Sequence, residues 1–156
     1  MRPALFRAIC TIAVLTALAV TTTAQSTNPR FGKWRLKPTD PAQTSNNVMT
    51  YEPFNGTGMK VTVATTNAAG TTSSWGYTTM FDGKEFPVTG RNGTDTAIVR
   101  VVNDKINEII YKQGERVVQF LVNVLSADSQ SILVTYYSTN AQGTTNVTQA
   151  TYEKMQ

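Results

Sequence analysis

The residues whose types and spacing best indicate a functional site are aromatic, and the function they indicate is the binding of a small molecule. Trp75 and Tyr77 alternate with small residues and share a strand face with Phe81. Rings that carry one polar atom suit an apolar pocket with a few placed hydrogen bonds, although a filled core uses such a face equally well. Arg100 has apolar neighbours on its own strand face, so it is either the one cation of a pocket or an outward charge.

Further aromatic residues occur on later segments of the chain. Which of them point to an interior depends on the pairing register between strands, because a shift of one residue moves every side chain to the other face. The sequence leaves those registers open. The candidate lining of a cavity is Trp75, Tyr77, Arg100, Tyr111, Phe120, Tyr136 and Tyr152.

The chain lacks the residues that several kinds of catalysis and metal binding need. The chain has no histidine and a single cysteine, Cys10, which removes the usual general base, the commonest metal ligand and the Ser-His and Cys-His nucleophile pairs. The ten acidic residues are scattered, mostly at turns, where carboxylates usually bond to nearby backbone. We expect no catalytic residue, no metal and no cofactor. Two carboxyl groups facing each other in a cleft would restore an enzyme hypothesis.

The charge pattern also argues against a nucleic-acid partner. The net charge is +4, and the basic residues are spread singly along the chain. A phosphate backbone is followed by a cluster or stripe of lysines and arginines, which this sequence lacks.

Residues 1–24 are typical of a secretory signal peptide. Arg2 and Arg7 precede an apolar stretch, and small residues around Ala24 offer a cleavage site after that residue. The alternative, a membrane anchor, is disfavoured because the apolar stretch is shorter than the ~20 residues that span a bilayer. We therefore expect a secreted or periplasmic protein with no membrane span in the mature chain. A flexible leader at 25–30 and a single domain at 31–156 would follow.

The candidate residues lie on segments that alternate like strands. Apolar and β-branched runs at 96–102, 106–112, 116–125 and 132–139 are separated by short turn clusters, and similar runs occur at 31–37, 48–54, 59–66, 73–81, 85–89 and 146–154. Runs joined by such short turns fold back on each other as antiparallel hairpins. The pattern predicts an all-β fold, an antiparallel up-and-down β-barrel of about 8–10 strands, since closure removes the open edges.

The run at 116–125 is apolar on both faces. Val118, Phe120 and Val122 alternate with a second set that includes Val117, Leu121 and Leu125. One face meets the core, and the other needs a cover because an exposed apolar strip is a contact site or a liability. The cover is either the chain itself, through the connection at 38–46 or the leader, or a second copy in a homodimer through Val117 to Leu125.

Short motifs in order along the chain resemble the calycin superfamily, the lipocalins and fatty-acid-binding-like barrels. Gly32-Lys33-Trp34 is similar to the Gly-x-Trp of the first lipocalin strand, and the segment at 151–154 resembles the last strand of fatty-acid-binding proteins. The block at 81–90 is similar to one found in small secreted bacterial lipocalin-like proteins of unknown function. The resemblance implies a barrel closed by Gly32 and Trp34, with an interior that holds a small apolar molecule. Ala150 occupies the position where fatty-acid-binding proteins carry a carboxylate-binding arginine.

Two functions follow from these observations. The leading hypothesis is a secreted or periplasmic lipocalin-like protein that binds a small apolar or amphipathic molecule in the barrel interior. The alternative is a structural or interaction module, also without enzymatic activity, that binds a protein or an envelope partner through its outer surface.

Overall fold

A computed structural model describes residues 28–40, 46–140 and 142–156, and their regular structure is entirely β-strand. The predicted signal peptide at 1–24 lies outside these residues. Within them, no helix is long and apolar enough to span a bilayer. The ten strands are β1 (Gly32–Leu36), β2 (Asn46–Phe54), β3 (Gly58–Thr66), β4 (Thr72–Thr79), β5 (Asp82–Thr89), β6 (Thr96–Asn103), β7 (Ile106–Gln113), β8 (Arg116–Leu125), β9 (Ser131–Thr139) and β10 (Thr145–Lys154).

The strands form a closed antiparallel barrel in which each pairs with its neighbours in sequence. β1 also pairs with β10, where Trp34 lies opposite Lys154 and Leu36 opposite Tyr152. This last pairing leaves no strand of the sheet with a free edge, which is the reason that a long meander closes on itself. The prediction of an up-and-down barrel of about 8–10 strands is confirmed.

One end of the barrel is closed by the chain that precedes β1. Arg30 extends across this end to the turn between β6 and β7, where its guanidinium donates to the carbonyl oxygens of Asp104 at 3.2 Å and Lys105 at 2.8 Å. Trp34 is fully buried beside it, and its indole Nε1 donates to the Arg30 carbonyl oxygen at 2.7 Å. Gly32 has a φ of +125°, a conformation that favours glycine. We call this side, with Arg30 and Trp34, the closed end.

Arg30 belongs to the expected leader at 25–30, whose flexibility stays a prediction, and this one residue is held at the closed end. Only 3% of Arg30 is exposed, and its three backbone acceptors lie on other strands and turns. A guanidinium at the end of a barrel satisfies several carbonyls at once, which orders the segment that carries it. Residues 25–27 of the expected leader lie outside the described chain.

A close approach of β3 and β4 sets the aromatic face of β4. A Cβ atom at Gly76 would lie 2.4 Å from the carbonyl oxygen of Val61, so only glycine fits at this position. Trp75 and Tyr77 flank Gly76 and pair with Val63 and Val61 of β3. Gly76 points to the opposite face from these two rings, so the close approach leaves no room for a side chain on the outer face of β4.

The two faces of β8 are separated by a change of register near its start. Tyr111 pairs with Gln119 and Lys112 with Val117, which leaves Val118 as an extra residue, a β-bulge. From Leu121 onward the inward residues are buried and the outward residues are half-buried. The inward set is Gln119, Leu121, Asn123 and Leu125, and the outward set is Phe120, Val122 and Val124.

Outward apolar side chains continue across the neighbouring strands at the level of Phe120. The register places Phe120 opposite Ile110 of β7 and Tyr137 of β9. Ile110 in turn pairs with Ile98, and Tyr137 pairs with Val147. We call these five residues the outer row.

Candidate functional site

The barrel encloses a cavity of about 200 Å³ between the closed end and the opposite end. Its wall is made by inward side chains of β2, β3, β4, β7, β8, β9 and β10 and by the connection between β5 and β6. The lining falls into six rings, five aliphatic or thioether groups and four polar groups. These are Tyr51, Trp75, Tyr77, Tyr111, Tyr136 and Tyr152, then Met49, Val61, Val63, Leu121 and Val134, and finally Asn47, Arg91, Gln119 and Asn123.

Three of the rings form one aromatic wall. Trp75 and Tyr77 are stacked, with ring centroids 6.4 Å apart and planes 19° apart. Tyr111 meets both rings edge-on, at 5.8 Å from Trp75 and 5.9 Å from Tyr77. The stacked pair follows from the two-residue period of β4, and the edge-on contact suits the ring quadrupoles. The result is a wall of two near-parallel rings, Trp75 and Tyr77, with the Tyr111 ring standing across them.

Arg91 lies on this wall at the end of the barrel opposite the closed end. It belongs to the connection between β5 and β6, and its guanidinium carbon lies 4.6 Å from the Trp75 ring centroid and 4.4 Å from that of Tyr111. Nη2 donates to Gln119 Oε1 at 2.8 Å, and Gln119 Nε2 donates to Ser138 Oγ at the same distance. The cation is therefore fixed in direction by two rings and an amide.

No carboxylate balances the charge of Arg91. None of the ion pairs among the described residues includes it, and the cavity lining contains no Asp or Glu. A partly buried guanidinium without an acid keeps an unneutralised positive charge at the cavity wall.

The deep part of the cavity, towards the closed end, has a polar cluster with an unused acceptor. Asn123 is 5% exposed, and its Nδ2 donates to the Tyr51 hydroxyl at 3.2 Å. That hydroxyl lies 3.5 Å from Met49 Sδ, to which it donates. Asn123 Oδ1 and Arg30 Nε are buried without a hydrogen-bond partner in the described part of the chain. Buried polar atoms are rarely left so, which marks this place as one that accepts a polar group.

A second chain of polar groups runs along the β10 side of the cavity. The Tyr136 hydroxyl lies 3.4 Å from that of Tyr152, and Tyr152 donates to Asn47 Oδ1 at 3.2 Å. Asn47 Nδ2 donates in turn to Thr65 Oγ1 at 2.9 Å. Each member orients the next, so the two phenols are held in place before any ligand arrives.

Burial keeps the phenols of the cavity neutral. It raises the pKa of Tyr111 to about 12 and raises the pKa values of Tyr51, Tyr77, Tyr136 and Tyr152 from their usual value. At neutral pH each hydroxyl therefore carries its proton. The cavity lining therefore offers hydroxyl groups, the unused acceptor of Asn123 and one cation, but no anion.

The structure brings five of the seven predicted lining residues together. Trp75, Tyr77, Tyr111, Tyr136 and Tyr152 all border the cavity. Their part in binding a ligand stays a prediction. Gly32 and Trp34, predicted to close the barrel, lie at the closed end, away from the cavity lining.

The other two predicted residues, Arg100 and Phe120, lie on the outside of the barrel. Ala97 and Val99 are the buried residues of β6, so Arg100 points outward. The strand register places it opposite Asp82 of β5. Phe120 follows the bulge in β8 and packs against the Tyr137 ring at 5.6 Å on the outer surface. Side chains alternate between the inner and outer faces along a strand, and the pairing with neighbouring strands decides which of them point inward. This rule places both residues on the outer face.

Sequence reasoning did not find Arg91, Gln119, Asn123 or Asn47. Arg91 follows Gly90 in a turn, where a charged residue is ordinarily solvated, and nothing nearby signals an inward direction. Tyr51 could have been found, because it alternates with Met49 on β2 and Met49 pairs with the buried Trp34. The amides carry no such signal because Asn and Gln are common throughout this chain.

Comparison with known proteins identifies the fold alone. No family model and no curated protein matches the sequence. Crystal structures of the fluorescent protein UnaG are similar in fold. One mutant form has a TM-score of 0.55 at 14% identity, with 82% of this chain and 97% of that chain covered. The wild-type form has a TM-score of 0.50 at 16% identity, with 81% and 97% covered. At these identities the similarity shows the fold alone, and it confirms the barrel that the sequence predicted.

Proposed function

We propose that this protein binds a small amphipathic molecule inside its barrel and does so without catalysis. The observation that carries the proposal is the enclosed cavity of about 200 Å³, bordered by six aromatic rings and four polar side chains. Small-molecule sites are concave, mostly apolar and equipped with a few placed polar groups. The unpaired Asn123 Oδ1 supports the same conclusion, because a bound polar group would satisfy it.

The size of the cavity limits the ligand. Pockets for drug-sized molecules occupy roughly 300–1,000 Å³, so this one suits a smaller molecule of one or two rings. Its near-parallel pair of rings, Trp75 and Tyr77, favours a planar ligand over a flexible chain. The lining has no carboxylate, and the chain has no histidine, so the commonest general acids and bases are missing from the proposed site.

Binding of a neutral aromatic probe tests the proposal. We expect native mass spectrometry of the purified full chain with 2-naphthol to show a single 1:1 adduct. Val134→Phe places a ring into the cavity from a residue that is 2% exposed, and it should abolish the adduct. Leu133→Phe makes the same addition on the outer surface, one residue away, and should leave the adduct intact. The proposal fails if the wild type gives no adduct or if Val134→Phe binds as the wild type does.

We also propose that the mature protein begins after Ala24 and acts in the periplasm or outside the cell. The support is the pattern of residues 1–24, a positively charged start followed by an apolar stretch and small residues. The intact mass of the protein recovered from the exported fraction should equal that of residues 25–156. Recovery of the uncut chain from the cytoplasm would contradict this.

A second candidate function, self-association through β8, is favoured by the outer row. Val147 is 57% exposed and Tyr137 36% exposed, and the register aligns them with Phe120, Ile110 and Ile98. A second copy of the chain is one of the two covers that the sequence left open for this face, the other being the protein's own chain, through the connection at 38–46 or the leader. A homodimer would bury these side chains and remove an exposed apolar strip from water.

A further inference from the structure

We propose that the ligand of the barrel is a small planar aromatic acid, with its anionic group at Arg91 and a hydrogen-bond donor at Asn123. This inference rests on the proposed function and specifies the chemistry of the ligand. It is carried by two independent features of the cavity, an uncompensated cation near one end and an unused acceptor near the other.

The cation of the cavity is Arg91, which is held in the aromatic wall. Its guanidinium lies over the Trp75 and Tyr111 rings and is held by Gln119, which accepts only from Nη2. A guanidinium has five N–H donors, so this arrangement fixes its plane and leaves capacity for an oxygen anion. A bound carboxylate would neutralise a charge that no acidic residue of the cavity lining neutralises.

The rest of the cavity repels cations and tolerates anions. Arg30 adds a second positive charge beneath the deep part, where backbone carbonyls hold it. The phenols of the lining are neutral donors, which stabilise a negative oxygen. A charged ligand amine would meet no carboxylate in the cavity lining, so its charge would be buried without a counter-ion.

The acceptor fixes the other end of the ligand. Asn123 Oδ1 is buried and unpartnered, and Asn123 borders the cavity. Gln119, which holds Arg91, and Asn123 are four residues apart on β8, a separation of about 13 Å along the strand. An elongated planar molecule with an acid at one end and a hydroxyl at the other matches this separation. The rings between them would lie against Trp75 and Tyr77.

Isothermal titration calorimetry with matched probes tests the inference. We expect the wild type to bind 6-hydroxy-2-naphthoate roughly tenfold or more tightly than 6-hydroxy-2-naphthamide, which has the same shape and no charge. Removal of the hydroxyl, in 2-naphthoate, should weaken binding about threefold to tenfold through the loss of one hydrogen bond to Asn123.

Variants assign the charge preference to one residue. Arg91→Gln should bind the acid and the amide equally, whereas Arg91→Lys should retain part of the preference. Arg100→Gln is the matched control, because it removes the same charge from the outside of the barrel and should leave the preference unchanged. Circular dichroism of each variant verifies that the barrel is intact.

The outcomes separate the two proposals. If the wild type binds the acid and the amide equally, the inference is overturned and the proposed function stands. A preference that persists in Arg91→Gln also overturns the inference. If the wild type binds none of the three probes of this experiment and gives no adduct with 2-naphthol, both proposals fail.

Discussion

An arginine lies beside a tryptophan near both ends of the barrel, Arg30 with Trp34 and Arg91 with Trp75. At the closed end, Arg30 donates to three backbone carbonyls and Trp34 is fully buried. At the opposite end, Arg91 donates to one side-chain amide, and Trp75 borders a cavity. The residue types are the same, but the partners differ.

The difference in partners separates a structural role from a binding role. Backbone carbonyls are fixed acceptors, so the cation at the closed end ties the chain before β1 to the turn between β6 and β7 and has little left to offer a ligand. A guanidinium over rings keeps its charge available to a second partner. Substitutions at the closed end should therefore lower the free energy of unfolding, whereas substitutions at the opposite end should mainly weaken ligand binding.

The largest expected difference is between the two tryptophans. Trp34→Ala should lower the free energy of unfolding by about 3–5 kcal/mol, since it removes a fully buried ring and leaves a cavity. Trp75→Ala should cost about 1–2 kcal/mol because its ring is only half-buried and borders space that already exists. Chemical denaturation followed by circular dichroism measures both. Equal losses at the two positions would remove the distinction between the ends.

The arginines should differ in the same direction. Arg30→Leu strands three carbonyls at the closed end, and we expect it to lower the free energy of unfolding by about 2–4 kcal/mol. Arg91→Leu loses two cation–π contacts, with Trp75 and Tyr111, each worth roughly 0.5–1 kcal/mol at a solvent-accessible site. We expect this variant to remain folded. Urea unfolding curves decide this. A stable Arg30→Leu variant would show that the closed end is held by packing alone.

The cavity phenols predict a loss of stability in alkali. Their pKa values are raised in the folded state, so the unfolded state loses its phenolic protons first and stability falls as the pH rises above 10. For Tyr111, whose pKa is raised to about 12, the contribution is present below pH 10 and is lost progressively between pH 10 and 12. Each group contributes up to about 1.4 kcal/mol per pH unit in this range.

Tyr111→Phe measures that contribution directly. Its unfolding free energy should fall less steeply than that of the wild type between pH 10 and 12. The difference in slope should equal the contribution of one phenol. Tyr137→Phe changes the same chemistry on the outer surface and provides the control. Identical pH slopes for Tyr111→Phe and the wild type would mean that Tyr111 is not protected by burial.

The smallest effect on stability is expected at the outer row. Phe120→Lys should change the free energy of unfolding by less than about 1 kcal/mol, because this ring packs only against the outer surface. It should nevertheless abolish self-association if β8 forms a dimer. Sedimentation equilibrium of the wild type and the variant tests this. A monomeric wild type at high concentration would contradict the homodimer.

Much of the fold could be predicted because strands carry a local signal. The run from Arg116 to Leu125 was predicted with the bounds that the structure has, and the ends of the other strands differ from their predicted positions by at most three residues. Alternating apolar residues and turn residues are properties of short segments, so they can be recognised without tertiary contacts.

The direction of individual side chains was less predictable. On β4 only one face is aromatic, and Trp75 and Tyr77 were placed correctly at the interior. On β8 both faces are apolar, so the pattern contained no information about which face is buried, and Phe120 was assigned to the interior. The bulge at Val118 changes the phase there, and it depends on the pairing with β7.

For the Arg91–Trp75 pair, the sequence determined that Trp75 would lie on a strand with a single aromatic face. Only the tertiary structure decided that Arg91 would cover it. The residue lies in a turn, and the direction of a turn side chain is set by where barrel closure places its neighbours, here Tyr111 and Gln119 from β7 and β8. Strand formation depends on nearest neighbours in sequence, whereas the charge of the cavity depends on contacts between residues 16 to 28 positions apart.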